Sequence, residues 1–186
     1  MKPKKNRKNI RWRIWDYRWN AAYFITICTK NKAHYFGEIV NKKMVLSHVG
    51  VIANILWSEI KHHSENIILD AFVIMPNHIH GILIIDNPVG QRHAFVATSP
   101  TKKITQSPNK SRFQNQGKNS ISSIIGSYKS AVTKHANRLD LEFGWQGRFH
   151  DHVIRDDQSF LFIQNYILQN PEKWENDCFH PGYVKP

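Results

Sequence analysis

Two apolar segments, NIILDAFVIMP (66–76) and HIHGILIID (78–86), follow one another with a turn near Pro76-Asn77, and they constrain the fold more than any other feature of the chain. Both read as strands. Side chains along a strand alternate between faces, so His78 and His80 project to one side while Ile79, Leu83 and Ile85 project to the other. One face then packs on a core and the other presents paired imidazoles, as a metal site would require.

AAYFITICT (21–29), rich in β-branched and aromatic residues, reads as a further buried strand, and GEIVNKKMVLS (37–47) as two short strands joined through Asn41-Lys42-Lys43. From Ser47 a helical period runs through Val51, Ile52, Ile55, Leu56, Trp57 and Ile60 to about His62. A second occupies 120–139 through Ile121, Ile124, Ile125, Tyr128, Val132 and Leu139. GWQGRFHDHVIR (144–155) reads as extended. A helix capped by Asp156 or Asp157 follows, ending or bending at Asn170 because Pro171 disfavours helical geometry in the residue before it. The order β, ββ, α, ββ, α, β, α lacks the regular alternation of a doubly wound parallel sheet. The expectation is therefore an α+β fold, an antiparallel sheet with helices packed on one face.

The 186 residues suit one domain. No run approaches the roughly 18 apolar residues of a membrane span, and the basic N-terminus lacks the apolar stretch of a secretory signal. Two cysteines, Cys28 and Cys178, are too few for a disulfide framework, so a reduced cytoplasmic setting and no membrane partner are expected. Charge is more telling: 26 basic against 14 acidic residues give +12. Residues 1–18 carry eight basic side chains against Asp16 alone, with Trp12, Trp15 and Tyr17 among them. Residues 87–138 carry nine and no carboxylate. Such runs favour a polyanion, because cations draw in phosphates and aromatic faces stack unpaired bases. The expected organisation is a basic arm over 1–20, one domain over 21–178 with a long basic loop at 87–119, and a tail over 179–186.

On the residues alone, His78 and His80 are either metal ligands or solvated polar residues, since HxH is short and recurs here at His150 and His152. Tyr166 and Asn170, four apart on the last helix, stack on one face. By themselves they read as a boundary aromatic and a helix terminator. In combination, however, MPNHIHGILI, WQGRFHDHVIRDDQSFLFIQNYILQNP and the basic helix SYKSAVTKHAN resemble the REP-associated tyrosine transposases, members of the single-tyrosine HUH nucleases. The resemblance runs from about Tyr23 to Trp174.

That resemblance implies a ferredoxin-like sheet with the histidines on a central strand. It implies His78 and His80 as metal ligands, Asn170 as the third (with Gln169 as fallback), and Tyr166 as the nucleophile. The implied cofactor is Mg²⁺ or Mn²⁺, with Zn²⁺ the competing assignment. The implied partner is single-stranded or hairpin DNA, cleaved and rejoined through a 5′-phosphotyrosine link by a monomer or homodimer. Lys129, Lys134 and Arg138, on the polar side of one helix, are candidates for DNA contact together with Arg148, Arg11 and Arg13. For His150 and His152 a structural hydrogen-bonding role is expected. A non-catalytic DNA-binding module is the main rival. A histidine-triad hydrolase fails because position 82 is Ile82, and a structural zinc protein lacks a fourth strong ligand. Deleting residues 1–18 is predicted to weaken DNA binding and flatten its salt dependence, since each lost phosphate contact on a single strand lowers the slope of log K against log[salt] by about 0.7. An unchanged slope would exclude the arm from the interface.

Overall fold

The strand that carries the histidines, β5 (His78–Ile85), lies inside a four-stranded antiparallel sheet. It pairs with β4 (Ile67–Met75) on one side and β1 (Ala21–Cys28) on the other, and β6 (His150–Ile154) pairs with β1 to complete the order β4-β5-β1-β6. The computed structural model describes residues 21–64, 66–86 and 120–183. The arm with Arg11 and Arg13, the 87–119 segment and residues 184–186 lie outside them. Helix α1 (His48–His63) connects β1 to β4, and α2 (Ile121–Arg138) lies between β5 and β6, which gives the ferredoxin-like βαββαβ order. A hairpin, β2 (Gly37–Val40) and β3 (Lys43–Leu46), is inserted before α1. Its two-residue loop, Asn41-Lys42, has φ of 50° and 62°, the left-handed pair that suits the twist of a tight hairpin.

Strand alternation divides the sheet into two unlike faces. Tyr23, Ile25 and Ile27 of β1 and Ile79, Leu83 and Ile85 of β5 are buried against α1 and α2, forming the main core with Trp57, Ile125, Tyr128 and Val132. The other face is covered in part by a third helix, α3 (Asp157–Gln169), through the smaller cluster of Ile82, Ile154 and Ile167. The helices open as their caps dictate. Ser47 Oγ accepts from Gly50 N, Ser120 Oγ from Ser123 N, and Asp156 Oδ1 from Ser159 N at 2.7 Å, so Asp156 is the cap of α3.

One irregularity sets the faces of β4. A bulge lies between Leu69 and Phe72, so Ile67 and Leu69 before it and Phe72 and Ile74 after it all face the main core despite the change of parity. At the bulge Asp70 Oδ1 accepts from Ala71 N at 2.7 Å and from Gln164 Nε2 of α3 at 2.8 Å, tying the third helix to the sheet.

Beside His80, Gly81 lies directly under Trp57, whose ring stacks on Phe72 at 5.6 Å. A Cβ at position 81 would meet Trp57 Cζ2 at 2.3 Å. Gly81→Ala is predicted to destabilise the fold by about 1–3 kcal/mol through overpacking. A urea midpoint equal to the wild type would contradict this packing.

Candidate metal centre

Both imidazoles are almost wholly removed from solvent, His78 at 0% and His80 at 2% exposure. Burial of polar rings is tolerated when each nitrogen has a partner, and here Nδ1 of each ring has one, while His78 Nε2 has none. Asn77 donates from Nδ2 to the Phe179 carbonyl at 2.9 Å, which leaves its Oδ1 to accept from His78 Nδ1–H at 2.8 Å. His80 Nδ1 meets Thr26 Oγ1 at 2.9 Å, on the neighbouring residue of β1 in register. With its Nδ1–H given to the Asn77 oxygen, His78 keeps a lone pair on Nε2, the tautomer a ligating histidine needs. The rings stand 4.5 Å apart, centroid to centroid.

The rings are also held neutral. Burial, and after it the charge of Lys32, lowers the pKa of His78 to about 3. Burial and then His78 push that of His80 well below its ordinary value. With His78 neutral, its 4.0 Å approach to Asp177 Oδ2 is not an ion pair. No proton needs displacing before a cation takes either nitrogen.

Three further groups converge on the pair. Helix α3 brings Tyr166, whose hydroxyl lies 3.2 Å from His80 Nε2 and 3.5 Å from Asp177 Oδ2. One turn later, Asn170, the C-cap of α3, is 2% exposed and donates from Nδ2 to Asp177 Oδ2 at 3.0 Å. A 3₁₀ turn, Trp174–Asn176, then swings the chain back so that Asp177 enters the site, its Oδ1 accepting from Phe179 N at 2.6 Å. The ligand atoms of His78, His80 and Asp177 all lie within 4.8 Å of one another.

This donor set fits a divalent cation. His78 Nε2 and Asn170 Oδ1 are both buried without a hydrogen-bond partner. Two orphaned acceptors at one place cost free energy unless something electron-poor joins them. Two imidazole nitrogens and a carboxylate suit Mg²⁺, Mn²⁺ or Zn²⁺. Asp177 has no local sequence signal; it arrives only because the chain turns after Pro171. Gln169 is not placed to substitute for Asn170: it is exposed, and its Oε1 accepts from Lys173 Nζ at 2.7 Å.

The basic residues on α2 lie elsewhere. Lys129, Lys134 and Arg138 line a groove of about 630 Å³ with Ser130, Thr133, Asn137 and Trp145. The groove belongs to the α2 side of the sheet, opposite the imidazoles. It meets the metal-centre end of β1 through a Thr29–Trp145 bridge and the bond from Gln146 N to the Cys28 carbonyl at 2.9 Å. Lys129 Nζ donates to the Gln146 carbonyl at 2.7 Å. Arg148 is exposed ahead of β6. His150 and His152 are exposed on edge strand β6, opposite Thr26 and Phe24, and hence on the imidazole face.

The fold and the buried His78–His80–Asp177 cluster define an α+β protein with a group of side chains able to hold a metal ion, on a fold similar to that of a REP-associated tyrosine transposase. Among solved structures, that of a REP-associated tyrosine transposase bound to a REP hairpin matches at a TM-score of 0.54 and 16% identity over 89% of this chain and 70% of that one. This is a likeness of fold. A crystal structure of a candidate transposase from Deinococcus radiodurans R1 matches at a TM-score of only 0.38 and 13% identity, over 85% of this chain and 95% of that one, and carries no argument. No protein-family model matches. The chain belongs to one family with an uncharacterized protein of Haemophilus influenzae Rd, which is 38% identical over 174 residues and 92% of each chain.

Adding Mn²⁺ at 100 times its Kd is predicted to stabilise the protein by about 2.7 kcal/mol. His78→Ala or His80→Ala should abolish that response, and Asn77→Ala should weaken metal affinity about 10–100-fold by releasing the His78 tautomer. A wild-type melting temperature indifferent to Mn²⁺, Mg²⁺ and Zn²⁺ would refute the centre.

Proposed function

We propose that this protein is a metal-dependent single-strand DNA endonuclease and strand transferase that acts on hairpin or palindromic DNA through a 5′-phosphotyrosine intermediate. The observation that carries the reading is the 3.2 Å separation between the Tyr166 hydroxyl and His80 Nε2, which sets a nucleophile against the cation site. Tyr166 is 36% exposed, so the residue is open in part to a strand crossing the imidazole face.

His78, His80 and Asp177 would hold Mg²⁺ or Mn²⁺, with the Asn170 oxygen beside them. When bound, the cation would supply Lewis-acid polarisation of a nonbridging phosphate oxygen held beside these ligands. The phenol needs help to ionise: burial, and next the Asp177 charge, raise its pKa above the usual value, while the Asn170 side chain lowers it. Asp177 Oδ2, at 3.5 Å, is positioned to take the proton as attack begins. Bond formation from Tyr166 oxygen to phosphorus breaks the bond to the 3′ oxygen. The leaving oxygen gains a proton as the tyrosine loses one. The phosphodiester is conserved in the covalent link, so the step reverses without a nucleotide cofactor.

In support, Tyr166 lies against the cluster of its own chain. A DNA-binding module without catalysis would share the basic groove, yet it would leave the buried His78 Nε2 and Asn170 Oδ1 without purpose. Incubation with labelled hairpin DNA and Mn²⁺, followed by mass mapping, is predicted to find the nucleotide on Tyr166. Tyr166→Phe should lose the adduct and keep DNA binding. An adduct that survives in the variant, or none in the wild type, would defeat this reading.

A further inference from the structure

The turn leaving β1 carries a cation that the chemistry above does not use. Lys32 ends the short 3₁₀ segment Lys30–Lys32, and it and Asn31 have φ of 56° and 55°. Two consecutive non-glycine residues in the left-handed region are disfavoured, and such strain persists where surrounding structure over-determines it, often at functional sites. Here the constraint is visible. Buried Thr29 donates from N to the Asn77 carbonyl at 2.9 Å, and its Oγ1 lies 3.0 Å from that same oxygen and 2.7 Å from the Ala33 carbonyl. The turn is thus fastened to the residue that fixes the His78 tautomer.

The strained turn delivers the ammonium to the edge of the metal centre. Lys32 Nζ donates to the carbonyl of Cys178, the residue after Asp177, at 3.1 Å. It also lies 5.1 Å from the centroid of Phe179, whose ring is 4.5 Å from that of His78. Neither a carbonyl nor a ring neutralises the charge, and the carbonyl takes one of three N–H donors. A lysine beside a cation site repels the cation. An anion that lies between the two removes that conflict.

We propose that Lys32 is a phosphate-binding residue of this centre, its ammonium taking a nonbridging oxygen of the single-stranded DNA phosphate that lies against the His78–His80–Asp177 cluster. This rests on the reading of the protein as acting on DNA, and it adds a contact beside the imidazoles that is not made by the side chains lining the α2 groove.

The test is a salt titration of the full chain with a fluorescently labelled single-stranded oligonucleotide, read by anisotropy without metal. Lys32→Met is expected to lower the slope of log K against log[salt] by about 0.7 and to weaken binding about fivefold at 0.1 M salt, while Lys32→Arg retains both. Lys32→Gly, which suits the left-handed backbone, should lose the same affinity without a fall in melting temperature. In a parallel thermal shift, Lys32→Met should respond to Mn²⁺ at least as strongly as the wild type, because a repelling charge is gone. Unchanged slopes in both the Met and Gly variants overturn the proposal. So does a loss of binding accompanied by a loss of the Mn²⁺ response, which marks Lys32 as a strut for the Cys178 carbonyl. A wild type that binds DNA but forms no adduct refutes the nuclease reaction alone and leaves this test intact.

Discussion

Two neutral imidazoles buried side by side on an interior strand are the constraint from which the site follows. Each ring must have one nitrogen satisfied from within, and the fold supplies Asn77 for His78 and Thr26 for His80. The second requires β1 beside β5 in a register that sets Thr26 against His80. The first requires the Asn77 amide to be oriented by the Phe179 carbonyl, which a chain segment far downstream provides. Sheet pairing and the path of the C-terminal turns are therefore coupled through the tautomers of two rings.

The division of the sheet into unlike faces explains why such a site is affordable in a chain of this size. The α1 and α2 face holds most of the fully buried aliphatic and aromatic side chains. The α3 face has a small apolar cluster at one end and the polar centre at the other. Helix α3 is held by that cluster, by its Asp156 cap and by the Gln164–Asp70 bond, a scaffold that leaves Tyr166 half-open while burying Asn170. Among the described residues no helix is long and apolar enough to cross a membrane.

Much of this was legible before any coordinates. The order of elements, the Ser47 and Ser120 starts, the opposite projection of His78 and Ile79, and the alignment of Tyr166 with Asn170 all follow from periods of 2 and 3.6 and from capping chemistry. The bulge in β4 was not legible, because an extra residue leaves no mark on an apolar run. Nor was the burial of the histidines: alternation says which way a side chain points, not what covers it. Asp177 and Lys32 were missed for a related reason. Each lies in an irregular turn, one after Pro171 and one after β1, where no periodicity fixes direction.

By itself the sequence determined the local structure, the βαββαβ order with an inserted hairpin, and the strand and helix faces that bear His78, His80, Tyr166 and Asn170, since neighbouring residues alone set these. Only the tertiary structure decided which lone pairs meet. Convergence of His78, His80, Tyr166 and Asp177 depends on strand register, on where α3 crosses the sheet and on the return of the chain after it. Those are set by packing between residues far apart in the chain, 99 positions for His78 and Asp177, 102 for Asn77 and Phe179 and 146 for Lys32 and Cys178, and contacts over such separations leave no periodic trace in the residues that make them.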